Sequence, residues 1–318
     1  MVNYEIPQGA LSNMDFGTDL AALLAPVEPG VFFSEYWNKK ALHVQGSGDK
    51  FSGLFDHAAF DRASERCELL KVGYTNELGQ PAETRIAASL VPDMLAKGRT
   101  VCAGGLDEVD PNLKAFITNF SQHFRQMGKF YFNCYLSPEG KGFGLHADDH
   151  PVWILQIEGS KRWFYSETSS GLKRLVSTVS FPNGVQVQRL PWGIVVRPDE
   201  SKFKETVLNP GDILYLPAGA WHRAEAVGAS LALTLAELPA TAVDVIQQAI
   251  MPRVRNSTAL RDALPAFSAD TFSSAQPPAE LEQRLELALQ ELRKVADTLS
   301  PADLYETWRS GEIQVRGL

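Results

Sequence analysis

In the run GLHADDHPVW, His146 and Asp148 stand two positions apart, so an extended chain presents an imidazole and a carboxylate side by side on one face. A second imidazole, His222, follows a Pro-Ala-Gly turn between two apolar runs in PGDILYLPAGAWHRAEA. Two histidines and one carboxylate on one face of an octahedral ferrous ion leave three positions open for substrate and O2. Alone, the HxD pair reads as a surface turn and His222 as an isolated loop histidine; together the three make a candidate metal centre. Lys161 follows Glu158-Gly159-Ser160, where a hairpin would leave it exposed, yet alternation aligns it with Trp163 and Tyr165, poor company for a surface lysine. Asn133 and Tyr135 share a face of the strand leading into the motif, and Cys134 points the other way, which leaves it no redox role.

Gly142-x-Gly144-x-x-Ala147 is a variant of the dinucleotide fingerprint, but a strand follows it instead of a helix, so that reading is rejected. Among 318 residues, 44% are hydrophobic and 21% charged, which excludes disordered, collagenous and coiled-coil classes. A net charge of -8 argues against binding nucleic acid by bulk phosphate attraction. Three cysteines, Cys67, Cys102 and Cys134, with no CxxC give neither a disulfide framework nor a zinc ribbon and fit a reducing cytoplasm. The N-terminal residues lack the charge and apolar pattern of a signal peptide, and no apolar stretch is long enough to span a membrane.

The segments KFYFNCYLS, VWILQIEG, KRWFYS, GVQVQRL, GDILYLP and ASLALTLAEL are short, β-branched or aromatic and separated by turn residues, which predicts an antiparallel sandwich or barrel. ELLKVGYT reads as a further strand and LFDHAAFDRAS as a short helix. Residues 19–43 alternate helical stretches with punctuation, with Phe32, Phe33, Tyr36 and Trp37 at the spacing of one N-terminal helix packed on the core. Asp110-Pro111 opens an amphipathic helix whose Leu113, Phe116, Ile117, Phe120 and Phe124 face a sheet. After about Leu238 the pattern turns helical through AVDVIQQAIMPRV, PPAELEQRLELALQELRKVADTL and SPADLYETWRSG, with SADTFSSAQPPAE as a linker. Leu281, Leu285, Leu289 and Leu292 form one stripe that needs a partner surface or burial against the barrel. The expected organisation is residues 1–238 as the β domain with N-terminal helices and residues 239–318 as a helical region.

HxDD before an apolar strand, then QxEGxKxW and PGDxLYxPxGxxH, resembles the JmjC-type, cupin-fold 2-oxoglutarate oxygenases, in particular their bacterial and nuclear ribosomal-oxygenase branch. FFSEYWNKKALHVQG is similar to the opening of that branch, and the resemblance covers roughly Val27 to Leu238. It implies a mainly β fold, a double-stranded β-helix (jelly-roll or cupin) core with flanking helices and a C-terminal helical region. It further implies that His146, Asp148 and His222 hold Fe(II), that Lys161 pairs with the distal carboxylate of 2-oxoglutarate, and that Asn133, Tyr135 and Thr234 contact this cosubstrate, with O2 as the other. Ser230 is a weaker candidate, since Ala236 stands where the family has a serine. At the C-terminus the chain departs from the branch: the helices after Leu238 match a dimerisation region, but no strand pair after Pro265 supplies the wing of a winged helix.

The expected activity is hydroxylation of a C–H bond in a protein or peptide side chain or an amino-acid-like substrate, by a homodimeric cytoplasmic enzyme with no membrane contact. A cupin metalloenzyme that dispenses with 2-oxoglutarate and a non-catalytic binding protein on the same scaffold are the rivals. Asp149, His150 and Arg223, which adjoin the ligands in sequence, are expected at the mouth, where they would meet a polar substrate.

Overall fold

The alternating segments pair into antiparallel sheets in a computed structural model that describes residues 20–75, 81–124, 129–169, 177–180, 186–190, 193–194, 198–267 and 277–310. The readings of residues 1–19 and of most of the SADTFSSAQPPAE linker lie outside the described residues. The strands are β1 (Leu42–Val44), β2 (Leu69–Thr75), β3 (Pro81–Arg85), β4 (Val101–Gly104), β5 (Lys129–Ser137), β6 (Val152–Tyr165), β7 (Ser177–Ser180), β8 (Gln186–Leu190), β9 (Gly193–Ile194), β10 (Lys204–Leu208), β11 (Ile213–Leu216) and β12 (His222–Leu238). The main sheet runs β1-β11-β6-β12-β5-β4-β2-β3, with β10 also on β6, and β7-β8-β9 form a smaller sheet. Helices α1 (Leu20–Leu24), α2 (Pro29–Val31), α3 (His57–Ser64), α4 (Val91–Ala96) and α5 (Pro111–Phe120) belong with these strands. A second unit takes in Pro239–Leu318 and contains α6 (Ala242–Asn256), α7 (Thr258–Arg261), α8 (Ala279–Asp297) and α9 (Pro301–Arg309).

Two long strands organise the core. β6 and β12 pair from His222↔Tyr165 to Ala236↔Val152, while the first part of β6 also pairs β11 and the last part β10. VWILQIEG and KRWFYS are therefore one strand, not two joined by a hairpin. The physical reason lies at Gly159: it has φ 62°, and a Cβ there would come 2.0 Å from Ala229 O. The chain bends at this glycine without reversing, and β12 shifts register opposite it. Lys161, just past the bend, is carried into the interior.

On β5, Phe130, Phe132, Cys134 and Leu136 are buried, and Tyr131, Asn133 and Tyr135 take the opposite face. α5 begins as the sequence predicts, with the Asp110 carboxylate accepting from Asn112 N and Leu113 N, each at 3.0 Å. Its buried face of Leu113, Phe116 and Phe120 packs onto the sheet, Phe120 lying 5.4 Å from Phe130 and 5.4 Å from Trp153 between ring centroids. The N-terminal aromatics do not form the single helix expected of them. α2 passes into one wide π-helical turn over Phe32–Tyr36, of which only Phe32 is fully buried, against Trp153 and Tyr215.

Trp37 instead reaches across to Glu237, whose carboxylate accepts indole N–H bonds from Trp37 at 2.8 Å and Trp153 at 3.2 Å. Burial pushes the Glu237 carboxyl up to about 7 against these two bonds, which favour the charged form. The folded chain thus holds this proton more tightly than the unfolded chain, where 4.5 is ordinary. Stability should fall as pH rises from about 4.5 to about 7 and stay lower above that, by at most roughly 3 kcal/mol from this group. Urea unfolding at pH 5 and pH 8 checks it: Glu237→Gln should remove that part of the difference, whatever it does to stability itself.

Candidate active site

Residues 140–146 lie beside the start of β12 and are held to it by the backbone: Gly140 N to Ala226 O at 2.9 Å, Ala226 N to Lys141 O at 2.8 Å, His146 N to His222 O at 3.0 Å and His222 N to His146 O at 2.8 Å. Gly142 occupies the tightest point, where a Cβ would sit 1.9 Å from Ala224 O. The first glycine of the rejected fingerprint thus serves close backbone approach, whereas a Cβ at Gly144 would meet nothing within 4 Å. This pairing sets the two imidazoles against each other, ring centroids 4.2 Å apart. Asp148 Oδ2 lies 3.6 Å from His222 Nε2, and one ligand atom from each of the three residues lies within 4.8 Å of the others. The Pro217-Ala218-Gly219 turn fixes the acid, with Gly219 N donating to Asp148 O at 2.8 Å.

Each histidine is oriented by its own chain. His146 Nδ1 is 2.7 Å from Gly144 O and His222 Nδ1 is 2.9 Å from Ala220 O. A carbonyl only accepts, so each Nδ1 carries the proton and each Nε2 presents its lone pair, the arrangement that metal-ligating histidines need. Burial, with His146 beside it, pushes His222 down to about 4 and keeps it neutral. Burial works against the Asp148 carboxylate, but the basic groups around it outweigh that and hold its pKa below the usual range. The donor set fits a divalent transition metal with protein ligands on one side only.

The cavity over these three residues is about 470 Å³, open mouth included, and is lined also by Tyr135, Phe143, Lys161, Trp163 and Thr234, with Val152, Ile154, Ala224 and Ala232 as its apolar wall. Lys161 is 2% exposed, and no acid pairs with it among the described residues. Its ammonium meets the Ser137 hydroxyl at 3.1 Å and stands 5.7 Å from the Tyr135 ring and 6.0 Å from the Trp163 ring. Burial pushes the lysine down to about 8. The Trp163 indole N–H is also buried without a partner. A buried cation and an orphan donor in one cavity are what a carboxylate would satisfy.

Residues 113–245, which contain every residue of the triad and the lysine, match the family of the JmjC domain. That match takes in less than half of the chain. Over 301 residues (88% of this chain and 44% of the relative) the chain is 28% identical to the bifunctional lysine-specific demethylase and histidyl-hydroxylase NO66 of Drosophila melanogaster. It is 27% identical over 216 residues (64% of this chain, 37% of the relative) to ribosomal oxygenase 1 of Danio rerio. The chain spans under half the length of these curated relatives. Among solved structures, Escherichia coli YcfD superposes with a TM-score of 0.58 at 17% identity, covering 89% of this chain and 71% of YcfD. YcfD, described as a ribosomal oxygenase, in complex with cobalt and 2-oxoglutarate superposes with a TM-score of 0.53 at 17% identity, covering 89% and 70%. The likeness to YcfD shows a shared fold.

Of the residues singled out by sequence, the structure brings His146, Asp148, His222, Lys161, Tyr135 and Thr234 into one cavity. Asn133 shares the face of Tyr135 and pairs in register with Thr234, but it does not line the cavity. Ser230 is buried and accepts from Gln156 at 2.9 Å. Arg223 is not at the mouth. One residue past His222 on a strand, it takes the outer face, over the Phe164 ring at 3.7 Å and paired with Glu200 and Glu225. Asp149 is exposed and accepts from His150 at 2.8 Å, while His150 stands 6.2 Å from Tyr131 between ring centroids. The sequence reading missed Phe143, whose ring stands edge-on to Tyr135 at 5.1 Å, and Ser137. The signal for Phe143 was an aromatic residue set between glycines just before the HxD pair.

Proposed function

We propose that this chain is an Fe(II)- and 2-oxoglutarate-dependent oxygenase that hydroxylates a side chain of a protein or peptide, or of an amino-acid-like molecule. The observation that carries the reading is the union, in one cavity, of a one-sided His-Asp-His donor set and a buried lysine with no counter-ion among the described residues. Each half calls for a different end of the same small molecule. The relatives' names as hydroxylase and ribosomal oxygenase, and the cobalt and 2-oxoglutarate held by YcfD, support it.

His146, Asp148 and His222 would hold the iron, and Lys161 would receive the distal carboxylate, with Tyr135 and Thr234 beside it. Bound iron supplies the redox chemistry that couples oxidative decarboxylation of 2-oxoglutarate by O2 to insertion of oxygen into a C–H bond. The chain's own part is to fix the imidazole tautomers through Gly144 and Ala220, to orient the dicarboxylate, and to exclude water with Val152, Ile154, Trp163, Ala224 and Ala232. Asn133 is assigned a supporting place behind Thr234 on the neighbouring strand. The test is gain of one oxygen atom's mass by candidate peptides or free amino acids on incubation with the protein, Fe(II) and 2-oxoglutarate. Oxygen gained by a nucleic-acid base or a fatty acyl chain instead would overturn the substrate class.

We also propose that the protein is a homodimer through the helical unit, in a reducing, cytoplasmic setting. Support comes from α8, 19 residues long with none buried, whose Leu285, Leu289 and Leu292 are 43%, 53% and 39% exposed. A stripe of leucines one and two turns apart finds no cover among the described residues, and a second copy of the same stripe would supply it. The three cysteines are free. Light scattering should give twice the chain mass, and Leu285→Glu with Leu289→Glu should halve it; a monomeric parent protein at micromolar concentration would end this reading. No helix among the described residues is long and apolar enough to cross a membrane.

A further inference from the structure

A lysine on a four-carbon stem, buried without an acid, needs something to aim it before its ligand arrives. The ammonium has three donors, and among the described residues its hydrogen-bond acceptor is the Ser137 hydroxyl at 3.1 Å. Ser137 is 1% exposed and is the last residue of β5, paired in register with Ser230 of β12. Its hydroxyl also accepts from Thr100 Oγ1 at 3.2 Å, and Thr100, 4% exposed, immediately precedes β4. The acceptor is therefore tied to two strands and has no freedom to follow the lysine. The remaining two ammonium donors are left for whatever enters the cavity.

We propose that Ser137 is a positioning residue for cosubstrate binding: with Thr100 behind it, its hydroxyl holds the Lys161 ammonium aimed into the cavity before the dicarboxylate binds. This rests on the reading of the cavity as a 2-oxoglutarate site. A neutral hydroxyl suits the task better than a carboxylate would, because an acid would pair with the lysine permanently and compete with the incoming anion. It also bears on the lysine's protonation. An ammonium that loses its one acceptor in a buried site is charged less readily, so removal of the hydroxyl should lower the pH at which cosubstrate binding fails. The titratable groups around Lys161 are Tyr135 and Cys134 on β5 and Cys102 on β4, all raised by burial and hence neutral up to alkaline pH, together with His146, Asp148 and His222 in the same cavity.

The experiment is calorimetric titration of 2-oxoglutarate into the full chain loaded with Mn(II), from pH 6.5 to 9.5, for the parent protein, Ser137→Ala, Ser137→Thr and Thr100→Val. Ser137→Ala should weaken binding about tenfold at pH 7.5 and move the alkaline loss of affinity to lower pH. Ser137→Thr, which keeps the hydroxyl, should restore both, and Thr100→Val should show a smaller shift in the same direction. Mn(II) affinity should be the same in all four. Unchanged affinity and an unchanged pH profile in Ser137→Ala would overturn the positioning role and leave the cosubstrate reading intact. Failure of the parent protein itself to bind 2-oxoglutarate would overturn that reading, and the positioning role with it.

Discussion

Replacing His146, Asp148 or His222 singly by alanine is expected to lower conversion of 2-oxoglutarate to succinate by roughly a hundredfold or more, since even residues that only orient metal ligands cost 10–100-fold. The three act as a unit: their ligand atoms lie within 4.8 Å of one another, so loss of one leaves a two-point chelate. The effect should appear first in metal affinity and follow into turnover. His146 and His222 also bond to each other through the backbone, which alanine keeps, so circular dichroism should show the β core unchanged. Near-parental turnover with iron still bound in all three variants would mean that the metal lies elsewhere.

The second large effect belongs to Lys161→Ala. It removes the one buried cation of the cavity and should weaken 2-oxoglutarate by roughly 2–4 kcal/mol, about 30- to 1000-fold, because the incoming carboxylate is left desolvated and unpaired. Metal affinity should hardly change, since the lysine pairs across from Ala226, four residues along β12 from His222. The pH dependence separates this from a packing defect. Burial has brought Lys161 down to about 8, and only the ammonium attracts the dicarboxylate. Affinity in the parent protein should therefore be flat below pH 8 and fall by about tenfold per unit above it. Lys161→Ala should show no such fall, and an unchanged affinity in this variant would favour a cupin metalloenzyme without 2-oxoglutarate.

Much of this site was legible because strands alternate. Lys161 and Trp163 stand two positions apart on β6, and a period of two needs no knowledge of the pairing to assign a common face; the HxD pair has the same spacing but lies before β6, where His146 is bridged to His222 outside any strand. The same rule corrects Arg223: adjacency to His222 on β12 places it on the opposite face, against Phe164. Ser137 ends the segment KFYFNCYLS, continues the 133, 135 alternation and was within reach of that rule. The continuity of β6 through Gly159 was not legible. A glycine followed by serine and lysine has the composition of a hairpin, and only the close approach of Ala229 shows it to be a bend. β10 escaped because its burial runs from exposed at Lys204 and Glu205 to buried at Leu208 with no alternation to detect. The aromatics of residues 32–37 have helical spacing, yet the helix ends after one wide turn at Trp37, whose indole bonds Glu237.

The central claim is tested most directly by following release of CO2 from 2-oxoglutarate labelled at its first carbon, with purified protein in air and no other substrate. The account predicts slow release that requires added Fe(II), matches succinate formed, stops without O2 and is abolished by Asp148→Ala. Release that persists without Fe(II) or O2, or none from a folded protein that binds both metal and 2-oxoglutarate, would contradict it.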